Sequence, residues 1–113
     1  MNQASRGEIW LVNLDPTAGR EQAGTRPFLV ISVDGFNHGA AELVVGIPVT
    51  SKAKGIPLHV EIVSPEGGLN MTSYAKCENI RSISVNRLVR EFGKVSLQTV
   101  EKIEDRLRIL LGL

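Results

Sequence analysis

Between Glu8 and Ile83, glycines, prolines and polar turn residues cut the chain into short runs of strand-forming residues, and only behind Ser96 does the apolar spacing change. A chain divided in this way must bury several brief strands against one another and lay one helix over them. Residues 8–14, EIWLVNL, read as a first strand that stops at Asp15-Pro16, a turn-initiating pair. Residues 17–25 carry two glycines and mostly polar side chains and read as a loop. Pro27 then biases Arg26 toward an extended conformation, so the second strand begins at or near that arginine and runs through FLVIS. VDGFNHGA supplies a turn, ELVVGIPVT a third, buried strand, and LHVEIV a half-buried one. SPEGGLN is a turn, and TSYAKCENIRSI is extended with a bend near Glu78-Asn79.

Behind Ser96, a favourable helix N-cap, Leu97, Val100, Ile103, Leu107, Leu110 and Leu111 recur at three- and four-residue spacings. That is the apolar stripe of an amphipathic helix. Glu104 with Arg108 adds an i, i+4 pair worth only tenths of a kcal/mol, so the stripe must hold the helix to the rest. The expected architecture is mainly β: a small, strongly bent sheet or barrel with a carboxy-terminal helix packed on it.

With 113 residues, 42% hydrophobic and 22% charged, the chain fits one domain and excludes disorder. Thirteen Lys and Arg against twelve Asp and Glu give a formal charge of +1, so any electrostatic attraction to nucleic acid must be local. A modest basic stripe runs through Lys76, Arg81, Arg87, Arg90 and Lys94 against Glu78 and Glu91. Cys77 is the single cysteine, which excludes an intramolecular disulfide and points to a reducing compartment, and no Cys/His spacing suits zinc. Neither a basic leader nor a run of about 18 apolar residues occurs, so a cytoplasmic location with no membrane span is expected.

No glycine-rich phosphate loop or nucleophile elbow is present, so chemistry must come from dispersed side chains at strand mouths. The candidates are Arg20, Glu21, Gln22 and Arg26 in and after the first loop, Thr50, Ser51 and Lys52 after the third strand, and Lys76 with Glu78 around Cys77. His38 and His59 lack a partner motif and read as surface or packed residues, Cys77 as a small buried apolar one, and Trp10 and Phe28 as core.

RGEIWLVNLDPTAGREQAGTRPFLVIS, followed by FN, IPVTS and CENIRSIS, resembles the MazF/PemK (Kid) family of toxin endoribonucleases. The likeness covers residues 6–112, and a single such domain over 6–113 is expected. The resemblance implies an SH3-like β-barrel of the CcdB/Kid/MazF type with a terminal helix. It also implies a homodimer that cleaves single-stranded RNA, mostly messenger RNA, without metal or cofactor, and a cognate antitoxin that holds it inactive.

Metal-free cleavage uses the substrate's own 2′-OH on the adjacent phosphate, leaving a 2′,3′-cyclic phosphate and a 5′-OH, and needs a base, an acid and charge stabilisation. By resemblance Arg26 is the catalytic arginine of the RP pair and Thr50 the catalytic hydroxyl. Glu21 and Gln22 match an EQ pair that shapes the loop or touches RNA. Arg20 stands where some members keep a histidine, Lys76 where they keep an arginine, and Glu78 where an acid acts as general base. Catalysis is thus expected from Arg26, Thr50, Lys76 and Glu78, and RNA contact from Arg20, Glu21, Gln22, Ser51, Lys52 and Arg81. Two alternatives share the fold: a CcdB-like toxin that inhibits gyrase through its terminal helix, and an RNA-binding module impaired in turnover by the changes at Arg20 and Lys76.

Overall fold

The computed structural model describes residues 3–15 and 24–113. Seven strands form one antiparallel sheet: β1 (Glu8–Asn13), β2 (Thr25–Val30), β3 (Leu43–Thr50), β4 (His59–Ile62), β5 (Ser73–Lys76), β6 (Arg81–Ser84) and β7 (Leu88–Lys94). A one-turn helix, α1 (Asp34–Asn37), lies between β2 and β3, and α2 (Leu97–Leu111) closes the chain. The strand order is β4-β5-β3-β2-β1-β7, with β6 also on β3. The architecture is mainly β with a carboxy-terminal helix, as expected, but the sheet bends without closing, since β4 and β7 are its two ends. No helix among the described residues is long and apolar enough to cross a membrane.

β3 organises the bend. One edge pairs with β2 from Phe28↔Pro48 to Val30↔Gly46. Its other edge is divided, with Leu43–Gly46 on β6 and Val49–Thr50 on β5. The change of partner falls at Ile47-Pro48, and Pro48 has no N–H for a ladder to lose. Curvature there presses the strands together: a Cβ on Gly46 would lie 2.4 Å from both the Leu29 carbonyl oxygen and the Phe28 ring. Only glycine fits that position.

Strand alternation sorts the core onto two faces. Trp10, Val12, Phe28, Val30, Val44 and Ile83 fill one, and Ile9, Leu29, Ile47, Val49 and Ile62 face the other. On this second face Val100 and Ile103 of α2 dock, with Leu107 packed beside them. A side chain like Ile103, with no exposed surface, contributes roughly 2 kcal/mol by burial, several times a surface ion pair. The expected apolar stripe is therefore used only at its centre. Leu97, Leu110 and Leu111 are exposed.

β7 has no counterpart among the strands read from sequence. Of its seven residues only Leu88 is buried, so it carries no apolar signal, and it is held by backbone pairing to β1 across two irregularities of register. α1 replaces part of an expected turn, its single turn capped by backbone N–H groups alone.

Candidate active site

Arg26 lies in β2 opposite Val12 of β1. Beyond the last β2–β3 pair, Phe28↔Pro48, Arg26 and Thr50 lie near the unpaired ends of the two strands, and both line one cleft of about 270 Å³. Ser51 and Lys52 complete this cationic, hydroxyl-rich side. The Lys52 backbone N–H donates to Thr50 Oγ1 at 3.2 Å. With that lone pair used, the threonine proton is left to donate elsewhere.

The row continues across the sheet. Thr50 pairs with Tyr74 of β5 and Tyr74 with Glu61 of β4, where the Tyr74 hydroxyl donates to Glu61 at 3.4 Å. Directly opposed residues share a face, as do residues two apart on a strand. Lys76, two residues beyond Tyr74, is therefore on the same face as Thr50, and it pairs with His59. Glu78, in the 3-10 turn after β5, accepts a hydrogen bond from His59 Nε2 at 2.8 Å. The His59 side chain is only 4% exposed, and its Nδ1 is buried with no hydrogen-bond partner. His59 is thus a packed residue with a carboxylate partner, and Glu78 is held rather than free to swing.

Cys77, between Lys76 and Glu78, is fully buried. Burial, then the Glu78 charge, pushes its thiol up to about 11, so it is not a nucleophile at neutral pH.

Arg87 is structural, its guanidinium donating to the carbonyls of Asn13 and Asp15 at 2.9 and 2.8 Å. Asp15 in turn accepts from the Gly24 N–H at 2.8 Å, so β1 and β2 are tied together just beyond their last pair. Arg20, Glu21 and Gln22 lie outside the described residues. Lys76, Glu78 and Arg81 are not among the described residues that line the cleft; Arg81 heads β6, opposite Gly46. No three His, Cys, Asp or Glu side chains among the described residues group to hold a metal ion.

The far side of the cleft is unlike the near one and had no signal in the sequence. It is built from Leu69, Asn70 and Met71, in the turn before β5, and from Phe92 of β7. Arg90 Cζ stands 4.7 Å from the centroid of the Phe92 ring. These residues reach the cleft only because a 3-10 turn at Glu66–Gly68 packs on β7.

Fold and cleft together define a small, bent antiparallel β protein whose strand ends bring an arginine, a lysine and two hydroxyls to one cleft. The chain belongs to the PemK-like, MazF-like toxin family of type II toxin–antitoxin systems, whose model matches residues 5–111. It is 40% identical over 113 residues to endoribonuclease MazF9 of Mycobacterium tuberculosis, covering 96% of each chain. It is 44% identical over 108 residues to endoribonuclease PemK of Escherichia coli, covering 94% of this chain and 80% of the relative. Its fold superposes on MazF from Deinococcus radiodurans with a TM-score of 0.87 at 28% identity, covering 100% of both chains. A mycobacterial endoribonuclease in complex with its cognate antitoxin matches with a TM-score of 0.79 at 26% identity, over 100% of this chain and 97% of that one.

Proposed function

We propose that this chain is the toxin of a toxin–antitoxin pair and an endoribonuclease that cuts single-stranded RNA at short sequence motifs without a metal. The observation that carries this reading is the shared mouth of β2 and β3, where Arg26, Thr50, Ser51 and Lys52 line one cleft in a chain of this family. Guanidinium, ammonium and hydroxyl donors converging on one space suit a phosphodiester whose non-bridging oxygens gain charge as the bond breaks.

In the proposed reaction the 2′-oxygen attacks the adjacent phosphorus and its proton passes to Glu78. Arg26 grips two non-bridging oxygens, Thr50 donates a hydrogen bond to the same phosphate, and Lys76 adds positive charge from the same face. The P–O5′ bond then breaks, and the leaving oxygen takes up a proton to give a 5′-OH opposite a 2′,3′-cyclic phosphate. Ser51, Lys52 and Arg81, with Arg20, Glu21 and Gln22 of the first loop, bind the flanking chain. The domain over 6–113 acts in the cytoplasm as a homodimer and is restrained by a cognate antitoxin, a reading supported by the mycobacterial relative's complex with its own antitoxin.

Purified protein should cut single-stranded RNA in EDTA and leave cyclic phosphate ends, while a substrate with 2′-deoxyribose beside the cut stays whole. RNA that is bound but never cut would sink the enzyme reading in favour of a binding module. Toxicity that needed the Ile109–Leu113 end but not Arg26 would favour the gyrase-inhibitor alternative.

A further inference from the structure

The two sides of the cleft have different chemistry, and only one is accounted for by a phosphate. Arg26, Thr50 and Lys52 suffice to hold an anion. The rest of the lining presents the Met71 side chain, 60% exposed, the half-buried Phe92 ring and the exposed Asn70 amide, with Leu69, only 5% exposed, belonging to the core behind them. An apolar and aromatic surface facing a cationic one suits a ligand that is charged at one end and planar at the other. A nucleotide has that form, and about 270 Å³ is below the roughly 300–1,000 Å³ of sites for drug-sized ligands.

The apolar side is also fixed in place. The Glu66 carboxylate, in the turn before Leu69, accepts hydrogen bonds from the Ser96 N–H at 2.9 Å and the Thr99 hydroxyl at 2.6 Å, at the start of α2. Backbones then meet at van der Waals distance. A Cβ on Gly68 would lie 2.1 Å from the Phe92 carbonyl oxygen, and one on Gly93 would lie 2.9 Å from the Gly67 carbonyl carbon. The turn and β7 are thus packed as closely as their backbones allow. Arg90, which is not itself among the residues lining the cleft, sets its guanidinium carbon 4.7 Å from the centre of that ring and helps to hold it.

The geometry points to a nucleobase subsite beside the scissile phosphate: Phe92, with Arg90 on its ring, stacks one base of the RNA, and the Asn70 amide reads that base's edge. The inference rests on the endoribonuclease reading and adds to it the element that recognises sequence.

The test uses an RNA whose cut site has been mapped on the wild-type protein, with each base flanking the cut replaced in turn by an abasic residue. One such replacement should lower kcat/KM about ten- to a hundredfold for wild type, the range for loss of one stacked base. In Phe92→Leu, which keeps the packing but removes the π face, the same replacement should cost less than about threefold, because the partner is already gone. Phe92→Tyr should behave as wild type, and Asn70→Asp, at an exposed position, should change the preferred base at that one position. Independent, additive losses in Phe92→Leu, or an unchanged base preference in Asn70→Asp, would overturn the subsite while leaving the nuclease reading intact. A wild-type protein that cuts no RNA would remove both.

Discussion

Glu66 joins the cleft to the helix, and its removal can be followed through both. A single carboxylate oxygen accepts from the Ser96 N–H and the Thr99 hydroxyl, while Ser96 Oγ accepts from the Thr99 N–H at 3.2 Å as the helix N-cap. Burial alone would raise the Glu66 carboxyl, but the Thr99 and Ser96 hydrogen bonds and the Lys102 charge outweigh it, so it titrates below its ordinary value of 4.5. Two charge-assisted bonds sharing one oxygen, with an anion at a helix N-terminus, together contribute about 2 kcal/mol. Glu66→Ala should lose that at pH 7, lowering Tm by about 8 °C for a chain of this size. Glu66→Gln should lose about 1 kcal/mol, since its amide oxygen can still accept but carries no charge.

The pH dependence has a definite sign. The folded-state carboxyl is the stronger acid, so its contribution is fully present above the unfolded value near 4.5 and is lost as pH falls through the lowered folded value. The gap between wild type and Glu66→Gln should therefore close with acidification below pH 4.5. Urea unfolding at one fixed protein concentration, from pH 7 down to pH 3, reads both quantities. Equal midpoints for Glu66→Ala and wild type at pH 7, or a Glu66→Gln gap that survives unchanged at pH 3, would refute the reasoning.

Arg26→Ala should lower RNA cleavage at least a hundredfold while changing stability by less than about 1 kcal/mol, because the contacts of a solvent-exposed cation are worth no more than that to the fold; a large fall in thermal stability would recast it as a mainly structural residue. Thr50→Val keeps the shape of the side chain and removes the donor, so kcat should fall about ten- to a hundredfold with KM little changed. Unaltered kcat would mean that the hydroxyl serves only the Lys52 turn. Cys77, buried and with its thiol pushed up to about 11, should resist a disulfide-exchange reagent at pH 7.5 in the native protein and react on unfolding. Fast labelling under native conditions would contradict the packing described.

Local chemistry made much of this molecule legible. The Pro27 ring, the Thr50–Lys52 strand end and the Ser96 cap are decided within a few residues, and β1 to β4 and α2 fall where those signals put them. β7 escaped because strand pairing is a matter of backbone partners: Leu88–Lys94 exposes most of its side chains and owes its conformation to β1. Leu97 and Leu111 satisfied helical periodicity yet stay in solvent, since spacing defines a face and not the length of sheet beneath it.

The candidate site divides in the same way. The sequence by itself offered Arg26, Thr50, Ser51 and Lys52 among several polar residues at strand mouths, because side-chain chemistry and strand-end placement are local properties, and it was the family resemblance that set Arg26 and Thr50 foremost. Only the tertiary structure decided that those two line one cleft with Leu69, Asn70, Met71 and Phe92, and that His59 holds Glu78. Those relations join residues far apart in the chain. They depend on where β3 changes partners at Pro48 and on glycines that let the Glu66–Gly68 turn press against β7, and no short window of sequence contains both sides of either contact.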